Sequence, residues 1–188
     1  MMAERLDNFP FLDYAAKYWG ADLQESQVED FWGYVNRFLS NKAAINVASQ
    51  VWSLPRYRYA YWSNEFPKYV PAIVLAASSK IPIVLERLVG QGEGVEGCGS
   101  DRETALIKSA RLGHEENIKA LIRLGADVAA TDIAGETAIV VATLAGKSSA
   151  VKALIDGGAN VNTVTGTAGW SLLITRRGTN YWDGGVRK

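Results

Sequence analysis

The sequence predicts an all-α fold: a stack of helix-turn-helix units behind an aromatic-rich helical leader. Three observations carry this. Slid against itself by 33 residues, "ETALIKSARLGHEENIKALIRLGADVAATD" (103–132) falls without a gap on "ETAIVVATLAGKSSAVKALIDGGANVNTVT" (136–165). Self-similarity at one fixed period is the signature of a stacked array. Within the copies, apolar residues recur at i, i+3 and i+4, as Ile118, Leu121 and Ile122 do, which is helical spacing. Finally, sixteen of the nineteen aromatic residues lie in 1–69 and none in 70–169, a shift in composition that marks two architectures in one chain.

The units follow from the offset. Glu103, Thr104 and Ala105 match Glu136, Thr137 and Ala138; Gly113 falls on Gly146; Lys119, Ala120 and Leu121 fall on Lys152, Ala153 and Leu154. A further shift back by 33 brings "PAIVLAASSKIPIVLERLVGQGEGV" (71–95) into line, with Ala72 on Ala105, Leu88 on Leu121 and Gly92 on Gly125. The repeats are therefore assigned to 67–99, 100–132 and 133–165. Thr104 and Thr137 stand where an N-cap hydroxyl accepts a bond from a free backbone N–H. Ala105, Ser109 and Ala110 are small enough for two helices to approach closely. Gly113 and Gly146 can take the left-handed conformation that ends a first helix, and Gly125 and Gly158 end the second.

These residues closely resemble the ankyrin repeat. "RETALIKSARLGH" and "GETAIVVATLAGK" stand for the family's first helix, and "LGADVAA" and "GGANVNT" for its last turn. The resemblance covers 67–165. Departures are visible: alanine replaces proline at 105 and 138, Ile107 and Val140 replace a histidine that helps fix the turn, and Arg102 stands where glycine is usual. The resemblance implies an ankyrin-repeat solenoid that binds a protein partner without catalysis, through turn tips and the first-helix surface. Mapped by motif position, that face comprises Lys68, Ser78 and Ser79 in repeat 1. In repeat 2 it comprises Ser100, Asp101, Glu103, Arg111 and Leu112, and in repeat 3 Ile133, Ala134, Glu136, Leu144 and Ala145. Replacing Arg111 and Leu112 together is expected to weaken a partner without lowering stability.

Residues 1–66 leave the 33-residue period. Ser26 and Glu29 form a capping box ahead of an amphipathic stripe of Val28, Phe31, Trp32, Val35 and Leu39. Ala44, Val47, Ala48 and Val51 continue it until Pro55, and Leu12, Ala16 and Trp19 suggest an earlier helix. An outermost repeat needs a cap, and the leader is expected to pack on repeat 1. "FPFLDYAAKYWGADLQE", "VASQVW" and "FPKYVPAIVLAASSKIPIVLERL" resemble the segment joining the NACHT NTPase region to the ankyrin array in large filamentous-fungal recognition proteins. That resemblance implies an alternative, a sensor or assembly fragment of such a receptor, without its NTPase region. Residues 166–188 open a fourth repeat with one inserted residue and then lose the pattern. They read as an incomplete repeat or a disordered tail, leaving repeat 3 to be covered by the tail or by another chain, including a second copy.

The remaining chemistry is sparse. Twenty basic residues balance twenty acidic ones, so there is no bulk electrostatic footprint for nucleic acid or anionic membrane. The interleaved Arg56, Tyr57, Arg58, Tyr59, Tyr61 and Trp62 are read as packing residues rather than a stacking platform. One cysteine, Cys98, allows no internal disulfide. With no signal-peptide layout and no membrane-length apolar run, the expected compartment is the cytoplasm, with the nucleus also open. The triplet Gly146-Lys147-Ser148 ends like a P-loop, but the first glycine of G-x-x-x-x-G-K-[ST] falls at Val141, and no nucleotide is expected there. His114, the single histidine, sits between the helices of repeat 2 and is read as structural. Glu115 and Glu116 complement a helix dipole. No cofactor, metal or catalytic residue is expected.

Overall fold

A computed structural model describes residues 28–46 and 70–163. Helix α1 spans Val28–Leu39, with Val35 and Leu39 buried in the same apolar cluster as repeat 1, and Trp32 and Phe38 partly buried against it. Residues 42–46 are again helical. The Asn41 carboxamide oxygen accepts from the backbone N–H groups of Ala43 (3.1 Å) and Ala44 (3.2 Å), which caps this segment and turns Ile45 into the core. Ser26, the suggested earlier helix, the Arg/Tyr stretch and the C-terminal segment lie outside the described residues.

The array follows as three helix pairs: α2 (Ala72–Ala76) with α3 (Pro82–Gly90), α4 (Ala105–Leu112) with α5 (Glu115–Arg123), and α6 (Ala138–Leu144) with α7 (Ser148–Asp156). First helices pack on first helices and second on second, giving two layers. Small residues make this possible: Ala105, Ser109 and Ala110 are fully buried, as is Ala142 one repeat later. Ile107 and Val140, at the places where the resemblance expects histidine, are buried aliphatic fillers. No helix among the described residues is long and apolar enough to cross a membrane.

The hinge between α4 and α5 needs glycine for two reasons. Gly113 has φ 80°, and a Cβ added there would lie 2.9 Å from Cδ of Lys147, a residue of the next repeat. The tips are narrow turns in which Cys98 pairs with Thr104 and Thr131 with Thr137 as single antiparallel bridges. Arg102 holds a left-handed φ of 55° where Gly135 has 75° in the next tip. A non-glycine residue costs about 1 kcal/mol in that conformation.

The two threonine caps differ. Thr104 Oγ1 accepts from the Ile107 N–H at 3.3 Å, whereas Thr137 makes no such bond and its Oγ1 is buried without a partner. This corrects the expected second cap. The backbone is the same at both sites (φ −80°, ψ 166° and φ −81°, ψ 165°), so the difference does not come from the backbone at the cap. Thr104→Val is therefore expected to cost about 1 kcal/mol. Thr137→Val is expected to cost nothing or to stabilise, because it removes an unsatisfied buried hydroxyl. Urea unfolding of the two variants checks the contrast.

Candidate protein-interaction face

The tip and first-helix side of repeats 2 and 3 is built around a buried carboxylate. Glu103 is held between Arg111 (Nε to Oε1, 2.7 Å) and Lys108 (Nζ to Oε2, 3.2 Å), with its side chain only 6% exposed. Arg111 also reaches Asp132 of the next tip, Nη2 to Oδ2 at 3.7 Å. Asp132 shapes that tip in turn, its Oδ1 accepting from the N–H groups of Ala134 (2.9 Å) and Glu136 (3.0 Å). Asp101 does the same for Glu103 N–H at 3.2 Å. The Ile133 N–H donates to the Asp101 carbonyl at 3.0 Å, tying tip to tip.

This geometry divides the expected face. Ser78, Ser79 and Glu103 are buried and offer no contact surface. The Ser79 hydroxyl is turned inward to the Ala76 carbonyl at 2.7 Å, and Glu103 is enclosed by its two cations. Arg111 is half-buried and spans two repeats, so the expectation that it can be removed without loss of stability is corrected. Leu112, Asp101, Ala134 and Glu136 are half-buried, and Ser100 and Ala145 are exposed. Lys68 lies outside the described residues. Two large apolar side chains stand out: Ile133 is 73% exposed at the tip of repeat 3, and Leu144 is 54% exposed at the end of α6. At the equivalent repeat-2 positions stand Ser100 and Arg111. Ile155 and Val161, on the far side of repeat 3, are also exposed, whereas their counterparts Ile122 and Val128 are partly buried against the core.

The other singled-out residues take structural places. His114 is buried, with Nδ1 3.1 Å from the Ala77 carbonyl oxygen. Glu115 and Glu116 open α5 and pair with Lys119 at 2.7 and 2.9 Å, which pushes the lysine up to about 12. Gly146 lies in the turn between two helices, with no strand before it, and Lys147 is the N-cap position of α7. The strand-to-helix setting of a P-loop is not built here. Among the described residues, no group of three His, Cys, Asp or Glu side chains is placed to hold a metal ion.

Two layers of paired helices with projecting tips define a linear repeat scaffold. Residues 73–165 match the family model for ankyrin repeats in three copies, and this segment is an ankyrin-repeat array. Among solved structures that match is the human ASB11 ankyrin repeat domain, 27% identical over 48% of this chain and 41% of that one, with a TM-score of 0.46. The chain thus spans less than half the length of that structure. No curated protein matches the chain.

Proposed function

We propose that the chain is a non-catalytic protein-binding module whose contact surface is the tip and first-helix side of repeats 2 and 3. The supporting observation is the exposure of Ile133 and Leu144 on that side, beside tips whose polar groups are already fixed by internal bonds. Isolated exposed apolar residues are ordinary, but these two stand on one repeat and on the side from which ankyrin arrays bind. A rigid backbone with apolar anchors lowers the entropic cost of association. The partner is a protein, since the chain carries no net charge to attract a polyanion.

The test begins with a photo-crosslinking residue placed at 133 or 144, and at 116 or 123 on α5 as controls. A protein captured only from the first pair is then purified, and its affinity measured against Ile133→Asp and Leu144→Asp. Each substitution is expected to weaken binding about tenfold or more, the loss of one apolar anchor. Equal capture from both sides, or unchanged affinity, removes this face from consideration. Self-association is the competing occupant and would appear as dimer in sedimentation of the chain alone.

A second reading is the sensor end of a larger NACHT-type receptor. It is supported by the leader's sequence and by the packing of α1 on repeat 1, where the Arg87 guanidinium lies 4.7 Å from the centroid of the Trp32 ring. An in-frame NTPase region upstream of Met1 in the genome would favour it.

A further inference from the structure

The joints between the repeats are built differently. Where repeat 1 meets repeat 2, two side chains of the α5 end reach the chain just after α2. His114 Nδ1 lies 3.1 Å from the Ala77 carbonyl oxygen, and the Asn117 carboxamide Nδ2 donates to the carbonyls of Ser79 (2.6 Å) and Ala77 (3.4 Å). Those carbonyls leave the end of a helix and lack intrahelical partners. His114 and Asn117 are both buried, and so are Ser78 and Ser79 beneath them. Where repeat 2 meets repeat 3, the equivalent positions are Lys147 and Ala150, which carry neither an imidazole nor a carboxamide; there the Lys147 stem lies against Gly113 and Ile122 is pressed against Gly157.

We propose that the joint between repeats 1 and 2 is an acid-sensitive latch, in which protonation of His114 loosens α1 and repeat 1 from repeats 2 and 3. With Nδ1 donating to Ala77, the neutral ring already makes the bond that holds the joint. A second proton adds charge in a buried place. The charged groups around the ring do not welcome it. Lys80, between α2 and α3, and Lys147, ahead of α7, both act against the imidazolium. The carboxylate of α3, Glu86, is paired with Arg123 at the other end of α5 (3.1 Å). On α4, Lys108 and Arg111 are tied to Glu103. On α5 itself Glu115 and Glu116 are paired with Lys119, and Lys152 of α7 acts on Glu115.

The direction of titration agrees. Burial is the largest influence and holds the imidazole below its ordinary 6.5; the Ala77 carbonyl opposes this, Lys80 reinforces it, the Ser79 carbonyl opposes it and Lys147 reinforces it. A lowered value means that the closed joint binds the proton less well than the open one. The joint is fully held above 6.5 and is loosened as pH falls below it. Because the array's units contact only their neighbours, opening one joint leaves the other repeats stacked. His114 is the chain's one histidine, so no second imidazole confuses the reading.

Amide hydrogen exchange of the full chain at pH 7.5 and 5.5, corrected for intrinsic rates, tests the latch. Protection in α2 and α3 is expected to fall with acid, by at most about tenfold, the ceiling for one group titrating at 6.5 in the open state. Protection in α6 and α7 is expected to stay within about twofold, since their joint has no titrating histidine. In His114→Asn, which keeps an N–H donor, the difference between the two halves should vanish. Equal loss in all helices, no loss in α2 and α3, or a difference that survives in the variant would each overturn the proposal. If the variant fails to fold, the proton resonance of the one histidine in the wild-type chain decides: a midpoint below 6.5 supports the latch, and one at or above 6.5 rejects it.

Discussion

Leu121→Ala is expected to lower the free energy of unfolding by about 3 kcal/mol, the middle of the range for emptying a fully buried leucine site. Leu121 is completely enclosed on α5, and among the described residues α5 is the one second helix with a second helix on each side, α3 and α7. The void therefore opens in the middle of the stack rather than at an end. Neighbours cannot collapse into it cheaply, because Ile118 on the same helix and Leu85 and Leu154 on the flanking ones are themselves fully buried. The midpoint of urea unfolding should fall with an unchanged slope, the mark of lost stability without a change in exposed surface. A cost below about 1 kcal/mol would mean that the helices pack less tightly than the full burial of Leu121 implies.

Arg111→Ala is expected to cost about 2 kcal/mol. Removing one partner of a buried ion pair commonly costs about 3–5 kcal/mol, because the other charge is left uncompensated. Two facts reduce that figure here: Lys108 still lies 3.2 Å from Glu103, and the Arg111 side chain is 26% exposed and partly screened by solvent. Combining Arg111→Ala with Glu103→Gln should recover most of the loss, and a double-mutant cycle measures the coupling. Additive losses would show that the pair is not coupled and that Arg111 is free to serve a partner.

The repeat architecture was legible because its period is written in the chain. Gly113 and Gly146 announced the hinges, the small residues announced the close first helices, and the single histidine between two helices announced a structural role. What sequence reading missed depends on contacts between distant residues. Glu103 looked like surface until Arg111, one helix away, and Lys108 closed over it. Spacings of five and eight residues from a tip carboxylate to two cations on one helix were the available signal. The burial of Ser78 and Ser79 follows from α5 of the next repeat, which no local pattern reveals. Thr137 shares its motif and its backbone angles with Thr104, yet only Thr104 makes the cap bond. Gly157, where repeat 2 has Leu124, makes sense once Ile122 of the preceding repeat is seen against it. Asn41 as a cap was readable, since an asparagine precedes an apolar helical run.

Some residues hold the array together and others are presented by it. Arg111, Glu103 and Leu121 are in the first group, and Ile133 and Leu144 in the second. Urea unfolding of the double variant Ile133→Asp, Leu144→Asp tests that division directly and needs no partner. Its free energy of unfolding is expected to lie within about 0.5 kcal/mol of the parent's, as for exposed positions free of structural contacts. A loss of more than about 1 kcal/mol would show that these side chains belong to the fold, and the proposed contact face would have to be abandoned.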